Sequence, residues 1–404
     1  MKAVGERMAG VDWASRTHAV CVLEARGSIR ARFEVSNTGK SFAGLIQRLV
    51  KLGVAGVAIE RPDGPLVEAM LDAGLEVFVI APRMLKAIRQ RYGATGAKSD
   101  LGDAYMLADM LRTDGHRLRP MRADSPETKV LRALTRTRKD LVEARVGLVN
   151  QLRAQLELCF PGAIGLFKDL DSAVSIAFLR RYPTAAAAAR LTEARLGAFL
   201  RRIGYCGRTP VTELLARVKE APAAGLGEVE LGGRTVCVGA LVDAIEVVNA
   251  RARDLQAEIV ERLEFHADAQ IFTSLPRAGR GVRAASLLAE IGDVRERFPD
   301  EESLAALAGV APVTKASGKL HSVGFRWACD KKLRNAVIDF ADDSRHASPW
   351  AQKVYTDAIA RGKRHPHAVR ILARAWIRVI WRMWQDGETY DVSRHGGAAM
   401  LEAA

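Results

Sequence analysis

No run of the chain is both apolar and uncharged for long enough to span a bilayer, and the N-terminal residues contain no apolar signal segment. Residues 371–384 come nearest, but Arg374, Arg378 and Arg382 interrupt them. Cysteine is scarce: five residues in 404, scattered and never in a CxxC pair. That usage points to a reducing compartment and argues against structural zinc. The eight histidines form no HExxH motif and no Cys/His ligand spacing, and His365 and His367 flank a proline where a helix would begin. A cytoplasmic, zinc-free protein with no membrane partner is therefore expected. Positive charge, by contrast, is abundant. Lys and Arg number 61 against 47 Asp and Glu, a net charge of +14. Such a balance favours a polyanionic partner, nucleic acid being the commonest. A content of 49% hydrophobic and 27% charged residues is that of a globular chain, and 404 residues imply two or three domains.

The first 125 residues alternate strand-like and helix-like segments. Residues 8–23 read as two strands around a turn at 14–16, and residues 28–35 as a third strand. Helical spacing over 39–52 and 65–73 alternates with short apolar strands at 54–59 and 77–80, and a further helix covers 99–112. The pattern is an α/β domain with a mixed sheet and flanking helices. Residues 126–265 read differently, as long helices. Leucines 134, 141 and 148 recur at seven-residue intervals within 129–160. Leu241, Ile245, Val248, Ala252, Leu255 and Ile259 alternate steps of four and three, the seam of a coiled coil. Two readings stay open, namely packing of the two helices on each other within the chain and dimerisation through them. Residues 161–235 form a helical insert, with an alanine run and a helix opening at Thr209-Pro210. Residues 266–404 are expected to be all-α around a turn-rich centre at 309–324.

Four carboxylates stand out. Asp12 lies where the first strand ends, and Glu60 directly follows the strand at 54–59 and precedes Arg61-Pro62. Strand ends on one edge of an α/β sheet are where sites are built. Asp100 and Asp103 are three apart at a helix start and share a face. Four converging carboxylates need cations, and oxygen-rich acidic sets suit Mg2+ or Mn2+, two of which can clamp a phosphodiester. Taken alone, Asp100 and Asp103 also fit an N-cap and its partner three residues on. In the last third, the glycine-rich turn at 275–281 leads into a helix. Backbone N–H groups there, with Arg277, Arg280 and Arg283, suit a nucleic-acid phosphate. Ser317 stands in a turn between Lys315 and Lys319, and on its own reads as a turn serine. Arg370, Arg374, Arg378 and Arg382, four apart, form a basic stripe opposite an apolar face, suited to phosphate contacts. Lys98, just ahead of the acidic helix, joins the candidate nucleic-acid contacts.

The segments GVDWASRTHAV, VAIERP and AKSDLGDAYMLADMLR resemble the RuvC-like (RNase H-like) catalytic domain of the DEDD transposases of bacterial insertion sequences, the group called insertion sequence one-ten. The segment LLAEIGDVRERFPDEESLAALAGVAPVTKASGK resembles that family's serine-bearing domain, and LARAWIRVIWRMWQDGETYD its C-terminal end. The resemblance implies a DNA recombinase in the bacterial cytoplasm. Asp12, Glu60, Asp100 and Asp103 would bind Mg2+ (or Mn2+), and Ser317 would form a phosphoserine link to DNA. It further implies donor and target DNA as partners, a structured non-coding bridge RNA as guide, and a homo-oligomer, dimer or tetramer, that combines the acidic set of one subunit with the serine of another. One departure is Arg277 after Pro276, where the family often has glycine. The rival readings are a hydrolytic nuclease or junction resolvase using the acidic set alone, and a non-catalytic nucleic-acid-binding relic. A sugar kinase is a further rival, but Trp13 and Arg16 are poorly suited to cradling a nucleotide phosphate.

Overall fold

The computed structural model describes residues 7–92, 99–222, 225–279, 281–318 and 320–395. It divides into two compact units, Met1–Ala123 and Asp124–Ala404, so the long helices and the last third belong to one unit.

In the first unit β1 (Arg7–Asp12), β2 (Thr17–Leu23) and β3 (Ile29–Ser36) form an antiparallel meander. After α1 (Gly39–Lys51) the chain returns as β4 (Val54–Ile59), parallel to β1; α2 (Pro65–Asp72) then leads to β5 (Glu76–Val79), parallel to β4. The strand order is β3-β2-β1-β4-β5, and α3 (Pro82–Tyr92) and α4 (Asp100–Asp114) complete the unit. Side-chain alternation splits the sheet into two buried faces. Ala9, Val11, Val20, Val22, Val57 and Ile59 pack on α1 and α2 through Phe42, Leu45 and Leu66. The opposite face presents Ala19, Cys21, Ala58 and Phe78 to Ala104, Leu107, Ala108 and Leu111 of α4. Gly10 makes the second packing close. A Cβ there would lie 2.1 Å from the Ala104 carbonyl oxygen and 2.5 Å from the Ala108 nitrogen, so α4 rests directly on the β1 backbone. Burial on both faces explains why β2 reads as an almost unbroken apolar run, whereas the edge strand β3 alternates half-buried and exposed residues.

The second unit opens with α5 (Pro126–Cys159), capped by Ser125, whose side chain accepts from the Thr128 N–H, and carrying Pro126 in its first turn. Four short helices follow: α6 (Ala173–Arg181), α7 (Ala185–Ala189), α8 (Glu193–Arg202) and α9 (Val211–Lys219). They enclose a core in which the ring of Phe178 meets Phe167, Tyr182 and Phe199. The second long helix, α10 (Glu228–Glu264), lies along α5 of the same chain. Val238, Ile245, Ala252 and Ile259 are buried at seven-residue steps, so the repeat serves packing within the chain.

Beyond it lie α11 (Ala269–Thr273), α12 (Val282–Ile291), α13 (Glu301–Leu307), β6 (Val313–Ser317), β7 (Leu320–Gly324), α14 (Lys331–Ser344), α15 (Pro349–Ala360) and α16 (His365–Asp386). Their core centres on Trp376 of α16, which packs edge-on against Phe340 and Trp350 and donates Nε1–H to Ser344 Oγ at 2.8 Å. The last third is not all-helical as expected. Residues 313–324 form a two-stranded hairpin, because Val-Thr-Lys-Ala-Ser and Leu-His-Ser-Val-Gly flank a two-residue loop whose Gly318 takes φ of 56°.

Candidate functional site

The sheet register carries the acidic site. Val11 pairs with Ile59 across the parallel β1–β4 ladder, so Asp12 and Glu60 sit side by side where the two strands end. Both are half-buried. The α4 packing over Gly10 brings a third carboxylate to this face. Ser99 caps α4, its hydroxyl accepting from the Gly102 N–H at 3.1 Å. The capping reading of Asp100 and Asp103 is thereby corrected: the cap is Ser99, which leaves both carboxylates free of that task. Asp100 is exposed in the first turn, and Asp103, one turn on, is only 2% exposed.

A buried carboxylate needs a partner, and Asp103 has Arg89 of α3. Arg89 Nε donates to Oδ1 at 3.0 Å, and Nη2 donates to Oδ2, a bidentate fork. The hydrogen bonds from Arg89 to Asp103, reinforced by the negative charges of Asp103, Glu60 and Asp12, hold the guanidinium above its ordinary pKa despite partial burial. Arg89 is thus paired with one of the four sequence-selected acids and feels the charge of two others. Among the described residues no three acidic, histidine or cysteine groups stand close enough to share one metal ion in this arrangement. The donor set, all carboxylate oxygens, nevertheless suits a hard divalent cation, and the guanidinium bound to Asp103 shows that this carboxylate takes a cationic partner. Sequence reasoning missed Arg89 along with its helix. The available signals were Pro82 in the first turn and the Leu85/Ile88 spacing.

Ser317 ends β6, pairs with Leu320 across the hairpin loop and is exposed. It belongs to the second unit and the four acids to the first.

The second unit also holds a cavity of about 900 Å³ between α5, α12, α14, α16 and the residues after β7. Arg277, Arg283 and Arg370, chosen from sequence, line it, together with Arg138, Arg334 and Phe325. Some of the cations are matched: Asp343 pairs with Arg277 Nε at 2.8 Å and Arg283 Nη1 at 2.7 Å, and Glu290 with Arg136 at 2.7 Å. Arg138, Arg334 and Arg370 have no carboxylate partner among the described residues. The Nε atoms of Arg138 and Arg334 are buried without a hydrogen bond. Burial, then the charge of Arg145, presses Arg138 below its ordinary pKa; burial, then the charge of Arg334, does the same to Arg370. The guanidinium carbons of Arg334 and Arg370 lie 4.5 and 4.9 Å from the Phe325 ring centre. Arg277 carries φ of 60°, the only non-glycine residue with positive φ among those described, a conformation that costs a side chain roughly 1–2 kcal/mol.

The basic stripe of α16 divides. Arg370 faces the cavity, Arg378 is exposed, Arg374 is only 14% exposed in its ion pair with Glu302, and Arg382 pairs with Asp386. Lys98, Arg280 and Lys319 lie outside the described residues, as does the side chain of Lys315.

Comparison with known proteins finds two matched regions, the first of which runs past the end of the first unit through α5. Residues 9–161, which span the acidic positions, match the DEDD transposase family of IS110. Residues 269–356, which hold the arginine-lined turn and the hairpin, match the transposase profile of the IS116/IS110/IS902 family. The mini-circle putative transposase for IS117 of Streptomyces coelicolor is 33% identical over 98% of this chain and 97% of its own length. The IS110 uncharacterized 43.6 kDa protein of the same organism is 29% identical over 87% of this chain and 86% of its own length. The IS900 uncharacterized 42 kDa protein of Mycobacterium paratuberculosis is 27% identical over 97% of this chain and 98% of its own length. With both regions matched in order and likeness running almost end to end, the chain belongs to the IS116/IS110/IS902 family of transposases.

Proposed function

We propose that the chain is a metal-dependent DNA recombinase, in which an RNase H-like first unit supplies the acids and the hairpin of the second supplies a serine nucleophile. The observation that carries this reading is the Arg89–Asp103 pair at the start of α4, with Asp12 and Glu60 at the ends of the parallel strands β1 and β4 close enough for their charges to act on the same guanidinium. The strand order, with an antiparallel meander joined to two parallel strands, supports the RNase H-like assignment.

Asp12, Glu60 and Asp103, with Asp100 from the exposed first turn of α4, would hold Mg2+ or Mn2+. Divalent ions so held stabilise charge on the attacking and leaving oxygens of a phosphodiester. Asp12 is paired with Ala19 in the sheet and Glu60 directly follows β4, so both backbones are anchored at the strand ends before substrate arrives. Ser317 Oγ attacks the DNA phosphorus, forming a P–Oγ bond while the P–O bond to one deoxyribose breaks. The departing sugar oxygen takes a proton and leaves as a hydroxyl, and the serine proton passes to solvent. The phosphodiester energy is conserved in the phosphoserine, so a second sugar hydroxyl can reverse the step on another strand without an external energy source. Exposure of Ser317 at a hairpin end suits it to reach a nucleic-acid backbone. The net charge of +14 supports binding of DNA together with a structured guide RNA.

The test is a denaturing gel of the protein with end-labelled insertion-end DNA, its guide RNA and Mg2+. The wild-type chain yields a protease-sensitive covalent adduct, and Ser317→Ala yields none. An adduct of undiminished yield in Ser317→Ala would remove the serine from the chemistry.

A further inference from the structure

Three features of the second unit coincide at one place and are left over once the hairpin serine and the acidic set have been assigned. The first is the cavity of about 900 Å³, large enough for a nucleotide. The second is the trio Arg138, Arg334 and Arg370, which lack a carboxylate among the described residues, with two guanidinium nitrogens buried and unbonded. All three side chains are half-buried, and Arg138 and Arg334 spend only one nitrogen each, on Gln256 and on the Arg326 carbonyl, so partly desolvated positive charge is left for an anion entering the cavity to meet. The third is Arg277. Glycine would take its φ of 60° without strain, yet an arginine stands there at the cavity mouth. The ion pair of Arg277 Nε with Asp343 at 2.8 Å holds the strained residue's guanidinium at the cavity.

The aromatic residues beside the cavity narrow the anion further. Phe325 lies beneath Arg334 and Arg370, and its ring meets Trp327 edge-on at 4.8 Å. Trp327 is 74% exposed, a large apolar face held open beside a cationic wall. Arginines that track a backbone next to an aromatic on which bases can stack are how single strands are bound. A free phosphate or a carboxylate ligand would have no use for the indole.

We propose that this cavity is a phosphodiester subsite for a single nucleic-acid strand, with Arg138, Arg334 and Arg370 on the backbone, Arg277 at the mouth and Trp327 as a stacking platform. The proposal rests on the nucleic-acid reading above. The hairpin that carries Ser317 begins beside Phe325, since Val313 pairs with Gly324. Four residues of strand rise about 13 Å, so the strand seated here is gripped several nucleotides from the phosphodiester that Ser317 attacks.

The full-length chain is titrated by fluorescence anisotropy, across a salt series, with labelled single-stranded RNA, single-stranded DNA and duplex DNA of one sequence. Arg138→Gln and Arg370→Gln each weaken single-strand binding about five- to tenfold and reduce the salt slope by about 0.7, the value of one phosphate contact on a single strand. Trp327→Ala weakens single strands more than duplex. Arg277→Gly is the decisive variant, because it weakens binding while melting no lower than the wild type. Arg251→Gln, an exposed arginine on α10, changes neither affinity nor slope. Preference for the RNA or the DNA probe identifies which strand the subsite takes, and either supports the proposal. If the wild type binds but the four cavity variants keep its affinity and slope, the subsite is refuted and the recombinase reading stands. If the wild type binds no probe at any salt concentration, both fall.

Discussion

Replacing Arg89 by glutamine removes the cation from the acidic site while keeping the length of the side chain. In the metal-free protein the substitution strips Asp103, which is 2% exposed, of its bidentate partner. Breaking a buried pair costs about 3–5 kcal/mol; Arg89 is 36% exposed, so screening by water brings the expected loss to about 2 kcal/mol. With divalent ions the sign reverses. If Asp103 must release Arg89 before it can ligate an ion, the energy of that release is subtracted from metal affinity. Hydrogen bonds to a charged group are worth about 1.5–3 kcal/mol, and 1.4 kcal/mol is tenfold in affinity, so Arg89→Gln is expected to bind Mn2+ about ten- to a hundredfold more tightly. Mn2+ titration followed by electron paramagnetic resonance measures the affinity, and melting curves in EDTA and in Mn2+ measure the stability. The variant melts lower than wild type in EDTA and gains more on adding Mn2+. Unchanged or weaker Mn2+ binding would show that Arg89 does not occupy the place of the ion, and the reasoning from the guanidinium to the metal would fail.

Two further outcomes follow from the first unit. Gly10→Ala forces a methyl group into the Ala104 carbonyl, 2.1 Å from the ideal Cβ, and is expected to cost about 3 kcal/mol and to lower cleavage with stability, read by chemical denaturation. His18, buried between Trp13 and Phe42, is held below its ordinary pKa of 6.5 by burial, which a hydrogen bond with Asn37 only partly offsets. Its unfolded form therefore takes up a proton first. Stability is full above pH 6.5 and falls below it by up to about 1.4 kcal/mol per pH unit, as melting between pH 7.5 and 5.5 would show, and His18→Asn flattens that dependence.

The α/β unit was legible because its strands are apolar runs separated by turn residues. The strand at 54–59 is found where the pattern puts it, and the helix expected over 99–112 runs from Asp100 to Asp114. The placement of Asp12 and Glu60 was legible for a related reason, since strand ends are marked by the chain itself. Arg89 was not, because α3 is short, basic and has few apolar residues, so its periodicity is faint and its partner Asp103 is fourteen positions away. The hairpin at 313–324 was read as a turn-rich stretch because its strands are only five residues long and half polar. The seven-residue repeat of α10 specified a helical partner but not whether that partner lay in the same chain. The basic stripe of α16 shows the same limit: spacing placed four arginines on one face, whereas Glu302 and Asp386, distant or local, decide which of them remain open to a phosphate.

The account stands most directly on strand cleavage of insertion-end DNA by the protein with the proposed guide RNA, measured with Mg2+ and with EDTA. Asp12→Asn and Glu60→Gln are each expected to abolish Mg2+-dependent cleavage while nucleic-acid affinity and melting temperature stay at wild-type values. Cleavage at the wild-type rate by either variant, or by the wild type in EDTA, would contradict it.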